Sequence, residues 1–93
     1  SLIEAHGAVS EPLGRAMAEG VRERLRADVG VGVTGIAGPI GATPGKPVGT
    51  VVVAVATGRG TSARTLSFGG DRAAVRQHAV NAALEAVRQT LAD

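Results

Sequence analysis

The chain has 93 residues, 44% of them apolar and 19% charged, with a net charge of +2 and no cysteine. This is the composition of one small soluble domain over residues 1–93. It excludes disulfides and thiolate metal sites, and no run nears the roughly 18 apolar residues of a membrane span. Phe68 is the whole aromatic content and acids alternate with bases in Arg22-Glu23-Arg24, so binding to nucleic acid is not expected despite the basic pI.

Ser1 to Val9 is an entry segment. Its first residues have neither the basic start nor the apolar stretch of a secretion signal, so a cytoplasmic protein is expected. Ser10-Glu11-Pro12 reads as a helix start: a serine cap, an acid in the first turn, and a proline where no amide donor is lost. Leu13, Met17, Val21 and Leu25 follow at four-residue spacing, giving the helix an apolar stripe and an end near Ala27. Val29 to Thr34 alternates valine with glycine as a strand. Gly30 and Gly32 leave one of its faces bare, open to close approach by another backbone or by a ligand. Gly35 to Gly49, with five glycines and three prolines, is a loop.

Thr50 to Ala56 is a continuous small apolar run, as in a strand covered on both faces. Gly58-Arg59-Gly60 turns into a second strand, Ser62 to Phe68, its hairpin partner. Gly69-Gly70-Asp71 ends that strand and caps a last helix, whose apolar face is marked by Val80, Leu84, Val87 and Leu91. The fold class is therefore α/β, in the order helix-strand-loop-strand-strand-helix, with a sheet of at least three strands covered by helices. Three strands and two helices make a thin domain, and a further N-terminal portion is expected to complete it.

Two places offer chemistry. Thr34-Gly35-Ile36-Ala37-Gly38-Pro39 follows directly from a strand, where ligands bind in open α/β sheets. Its glycines let backbone amides approach an anion, and it is equally a plain surface connection. It is neither a Walker A loop nor a dinucleotide fingerprint. Arg72 and Arg76, four apart at a helix start, form either a phosphate grip or two solvated arginines, one of them paired with an acid such as Asp71. His78 is expected to be partly buried and hydrogen-bonded within its helix, His6 precedes a turn, and no second histidine stands at metal spacing. Lys46 is expected to face water. None of the serines sits on a nucleophile elbow, so no nucleophile–base pair is visible.

His6-Gly7-Ala8-Val9-Ser10-Glu11, Met17-Ala18-Glu19-Gly20, Thr34 to Pro39, Lys46-Pro47-Val48-Gly49-Thr50-Val51, and Gly70-Asp71-Arg72 with Val75-Arg76 stand together in order. With these five blocks, running from end to end, the chain resembles the C-terminal domain of the CinA family, a domain also known alone as nicotinamide-nucleotide amidase. The resemblance implies hydrolysis of nicotinamide mononucleotide to nicotinate mononucleotide and ammonia, without metal or cofactor. It implies a serine nucleophile with a lysine base, in Glu-Ser-Cys-Thr-Gly-Gly and Tyr-Ser-Asn-x-x-Lys stretches that would precede Ser1 and do not occur in this sequence. No catalytic residue is therefore assigned here. Thr34, Gly35, Ile36 and Gly38 match the family's pocket loop, and Arg72 and Arg76 its arginine-bearing helix start. Where many relatives carry paired glycines, this chain has Gly41-Ala42, a slightly narrower loop. The partners implied are the nucleotide, the N-terminal part of the domain and further copies in a homo-oligomer. The alternative is an inactive nucleotide-binding or oligomerisation module.

Overall fold

The computed structural model describes residues 9–35 and 48–92. Ser10 caps the first helix, α1 (Glu11–Leu25), as expected: its extended backbone turns the chain and its Oγ accepts the Leu13 N–H at 3.4 Å. The helix stops two residues before Ala27. Arg26 adopts the left-handed conformation, φ 50°, and its N–H reaches back to the carbonyls of Arg22 and Glu23. Three strands follow, β1 (Val29–Gly35), β2 (Thr50–Thr57) and β3 (Gly60–Ser67), and then helix α2 (Arg72–Ala92).

The sheet has the order β1-β2-β3 with both pairs antiparallel. Its register runs from Val29↔Thr57 to Gly35↔Val51, and from Thr50↔Ser67 to Thr57↔Gly60. The last pair leaves only Gly58-Arg59 in the turn. Thr57 closes it, its Oγ1 accepting the Arg59 N–H at 3.1 Å and donating to the Gly60 carbonyl at 3.3 Å. The β3 hairpin partner thus begins two residues earlier than the sequence suggests and ends at Ser67.

Side-chain parity sorts the layers. Ala54 and Ala56 of β2 gather with Ala18 of α1, whereas Val51 and Val53 gather with Val75 of α2. The helices therefore lie on opposite faces, and β2 is buried between them from Thr50 to Ala56. That is the two-sided cover its unbroken apolar run predicts.

How α1 reaches the sheet decides what the bare face of β1 is for. A Cβ at Gly30 would stand 2.1 Å from the Ala18 carbonyl oxygen, and one at Gly32 would stand 2.7 Å from that of Gly14. The glycines admit a helix backbone, not a ligand. Along its flank α1 is tied to β3 by hydroxyl donation from Thr61 to Glu19 and from Thr65 to Glu11 at 2.9 Å, and by Arg15 donating to the Thr61 carbonyl at 2.6 Å.

Both helices correct the expected buried stripes. In α1 the buried residues are Gly14 and Ala18, while Met17, Val21 and Leu25 are exposed. In α2 the buried residue is Val75, supported by partly buried Ala79, Ala82, Ala83 and Ala86, whereas Val80, Leu84 and Leu91 are exposed. Small residues recur at the same helical period as large ones. Only the small stripe lets a helix axis come this close to a valine-lined sheet.

Candidate functional site

The antiparallel register brings the two sequence candidates to one end of the sheet. Gly35, the last residue of β1, pairs with Val51, and Thr50 beside it pairs with Ser67, the last residue of β3. The link from β3 into α2 starts at that same end. It is fastened by Phe68, whose N–H donates to the Gly49 carbonyl at 2.9 Å. The contact is close enough that a Cβ at Gly49, where φ is 95°, would stand 2.0 Å from the Phe68 oxygen. Val75, in the first turns of α2, packs on Val51 and Val53. Thr34 and Gly35 on one side, and the start of α2 on the other, thus flank the origin of β2.

Asp71 caps α2. Its Oδ1 accepts the Ala74 N–H and its carbonyl accepts the Val75 N–H, both at 2.9 Å. The carboxylate is engaged there and not in an ion pair with Arg72. Arg72 and Arg76 are both exposed, and among the described residues neither guanidinium has a hydrogen-bond or ion-pair partner. A cleft of about 280 Å³ lined by Ala73, Arg76, Gln77 and Val80 runs beside Arg76. Two unengaged guanidiniums one turn apart, at a helix start, are suited to gripping the oxygens of a phosphate or carboxylate. Thr34 is half-buried and Gly35 exposed. Ile36 and Gly38, with His6 and Lys46, lie outside the described residues.

His78 departs from its sequence reading. It is exposed, and its ring stacks on Phe68 with centroids 5.1 Å apart at an interplanar angle of 17°. The stack pins the 68–71 link to α2 and so helps place the arginines. The sequence carries no local sign of it, because the two rings are ten residues apart. Ser62 and Ser67 are exposed on β3 with no histidine or lysine beside them among the described contacts. The arrangement can bind and orient an anion, and among the described residues no nucleophile–base pair lines it.

Volume points elsewhere. A cavity of about 380 Å³ is lined by Thr57, Arg59, Gly60, Thr61 and Thr90, at the hairpin-turn end of the sheet. There Arg59 already donates to the Thr90 carbonyl at 3.1 Å. The convergence of unengaged charge marks the other end more strongly than volume marks this one.

Similarity to known proteins is extensive. The family model for the CinA C-terminal domain matches residues 1–91. A CinA-like protein of Anaeromyxobacter dehalogenans (strain 2CP-C) is 55% identical over 91 residues, covering 98% of this chain and 22% of that protein. The crystal structure of the competence damage-inducible protein A from Klebsiella pneumoniae superposes with a TM-score of 0.90 at 36% identity, covering 98% of this chain and 56% of that one. The competence/damage inducible protein CihA from Agrobacterium tumefaciens gives 0.88 at 37% identity, covering 95% and 55%. The chain thus spans about a fifth of the length of its curated relatives and just over half of its solved ones.

Proposed function

This chain belongs to the CinA C-terminal domain family, and from that premise we propose that it is the substrate-binding part of a nicotinamide-nucleotide amidase. The reaction is hydrolysis of the carboxamide of nicotinamide mononucleotide, giving nicotinate mononucleotide and ammonia. The observation that carries the reading is the convergence of the β1 terminus with an arginine-bearing helix start whose guanidiniums have no partner among the described residues. Arg72 and Arg76 grip the 5′-phosphate of the nucleotide. Thr34 and Gly35 form the adjoining wall, continued by Ile36 and Gly38.

Cleaving an amide needs a nucleophile, a base to activate it and donors for the developing oxyanion. The family's serine- and lysine-bearing stretches are absent from this sequence, so these residues hold the nucleotide while the bond is broken by groups on the remaining part of the domain. The chain alone should therefore bind nicotinamide mononucleotide, seen by titration calorimetry, without releasing ammonia. Charge-assisted hydrogen bonds contribute about 1.5–3 kcal/mol each, so Arg72→Gln and Arg76→Gln should each weaken binding roughly tenfold or more. Ammonia release by the isolated chain at an enzymatic rate, or binding indifferent to both substitutions, would overturn the assignment.

A further inference from the structure

The arginine-bearing start of α2 needs something to hold it against the sheet. The link that leads into it is Gly69-Gly70-Asp71, with Gly70 at φ 104°. Two glycines in succession pass on little orientation from β3, because each leaves the backbone its widest freedom. The Asp71 cap does not supply it either: its bonds end on Ala74 and Val75 of the same helix and travel with it. Farther along, α2 meets the core cluster through Ala79, Ala82, Ala83 and Ala86, small side chains that make a smooth ridge. A smooth ridge resists rolling and sliding less than large side chains seated between their neighbours. Near the far end of α2, Arg59 holds the Thr90 carbonyl at 3.1 Å.

Two contacts serve the first two turns. Val75 is buried against Val51 and Val53. Three residues on, and so on the same side of the helix, the His78 ring lies on Phe68 with centroids 5.1 Å apart and planes 17° from parallel. Phe68 is itself fixed from two directions. Its side chain packs on the Val51, Val53 and Val75 cluster, and its N–H donates to the Gly49 carbonyl just before β2. His78 has no hydrogen-bond or ion-pair partner among the described residues, so the ring stack is what its side chain brings to the fold.

We propose that His78, stacked on Phe68, is a positioning residue for the anion grip: it sets the roll and height of the start of α2, and so holds Arg72 and Arg76 together beside the origin of β2. It touches no ligand itself. The inference rests on the reading of Arg72 and Arg76 as a phosphate grip and names the residue that aims them. Hydrogen bonds weaken steeply beyond about 3.2 Å. A helix start free to roll therefore presents both guanidiniums correctly for only part of the time, and the affinity falls by that fraction.

Three substitutions separate aiming from contact. His78→Ala removes the ring, His78→Gln removes it but keeps a polar side chain, and His78→Phe keeps a ring with no hydrogen-bonding group. His78 is exposed, so each variant is expected to fold. Titration with nicotinamide mononucleotide should show affinity lowered roughly three- to tenfold by His78→Ala and His78→Gln, the range an aromatic pair supplies, and kept within about twofold by His78→Phe. With Phe68→Leu already present, His78→Ala should have no further effect. His78→Gln binding like the native chain, His78→Phe as weak as His78→Ala, or an equal loss with and without Phe68→Leu would each overturn the proposal. A second readout needs no ligand. Residual dipolar couplings of the 72–76 amides, read against those of β2, should shrink in His78→Ala as the helix start gains motion, and return in His78→Phe. Couplings unmoved by His78→Ala overturn the proposal whether or not the nucleotide binds. Couplings that respond as expected in a chain that binds no nucleotide fail the amidase reading and leave the aiming of α2 standing.

Discussion

Glycine does two opposite things in this chain, and the surrounding atoms decide which. At Gly30 the absent side chain is occupied by the backbone of α1, so Gly30→Ala drives a methyl group into the Ala18 carbonyl oxygen. Overpacking against backbone has no rotamer escape, and the variant should lose about 3 kcal/mol. At Gly20, within α1, an added Cβ meets nothing within 4 Å, and Gly20→Ala should gain about 1 kcal/mol from helix propensity. Urea unfolding of the two variants reads both signs. The pair Glu85–Arg88 is a second residue-scale case. Arg88 Nε donates to Glu85 Oε2 at 2.9 Å, and this hydrogen bonding, with the charge of the guanidinium, holds the Glu85 carboxyl below the ordinary glutamate range. Its contribution is therefore complete above the unfolded-state pKa and is lost as pH falls through the lower folded-state value. Both side chains are exposed, so the effect on overall stability is small. The measurable consequence is that Arg88→Gln moves the NMR titration midpoint of Glu85 upward.

In the elements, the contrast lies between stripes on the same helix. Val75 is buried against Val51 and Val53, whereas Leu84, the larger side chain, is 65% exposed. Truncating the smaller residue should therefore do more harm. Val75→Ala removes two buried carbons and should lower stability by about 2 kcal/mol, and Leu84→Ala should change the isolated chain by less than about 0.5 kcal/mol. Chemical denaturation of the two variants side by side checks the order. A reversal would place the packing face of α2 on the leucine stripe, where the sequence pattern alone puts it. Helical period was legible from the spacing; which of two equally periodic stripes faces the sheet was not, because both satisfy 3.6 residues per turn.

Over the whole molecule, three layers hold β2 between two helices and bring residues far apart in sequence to a common end. Gly35 and the helix start that bears Arg72 come to the same end of the sheet only because two antiparallel pairings fold the chain back twice. The candidate site inherits that geometry: its loop side was readable from glycines after a strand and its arginine side from a capped helix start. That Asp71, as the cap, does not also pair with Arg72 is a matter of side-chain geometry. Phe68 and His78, stacked across ten residues of sequence, left no sign in the sequence of their contact.

By itself the sequence determined the elements and their order, the caps at Ser10 and Asp71, the two-sided burial of β2 and the two candidate anchors. Each of these depends on local interactions or on a strict periodicity, and local physics is written in neighbouring residues. Tertiary structure decided what fills the bare face of β1, where α1 stops and which helical stripes are buried. Those outcomes depend on how closely one backbone can approach another, a distance set by residues far away in the chain and visible only when the layers meet.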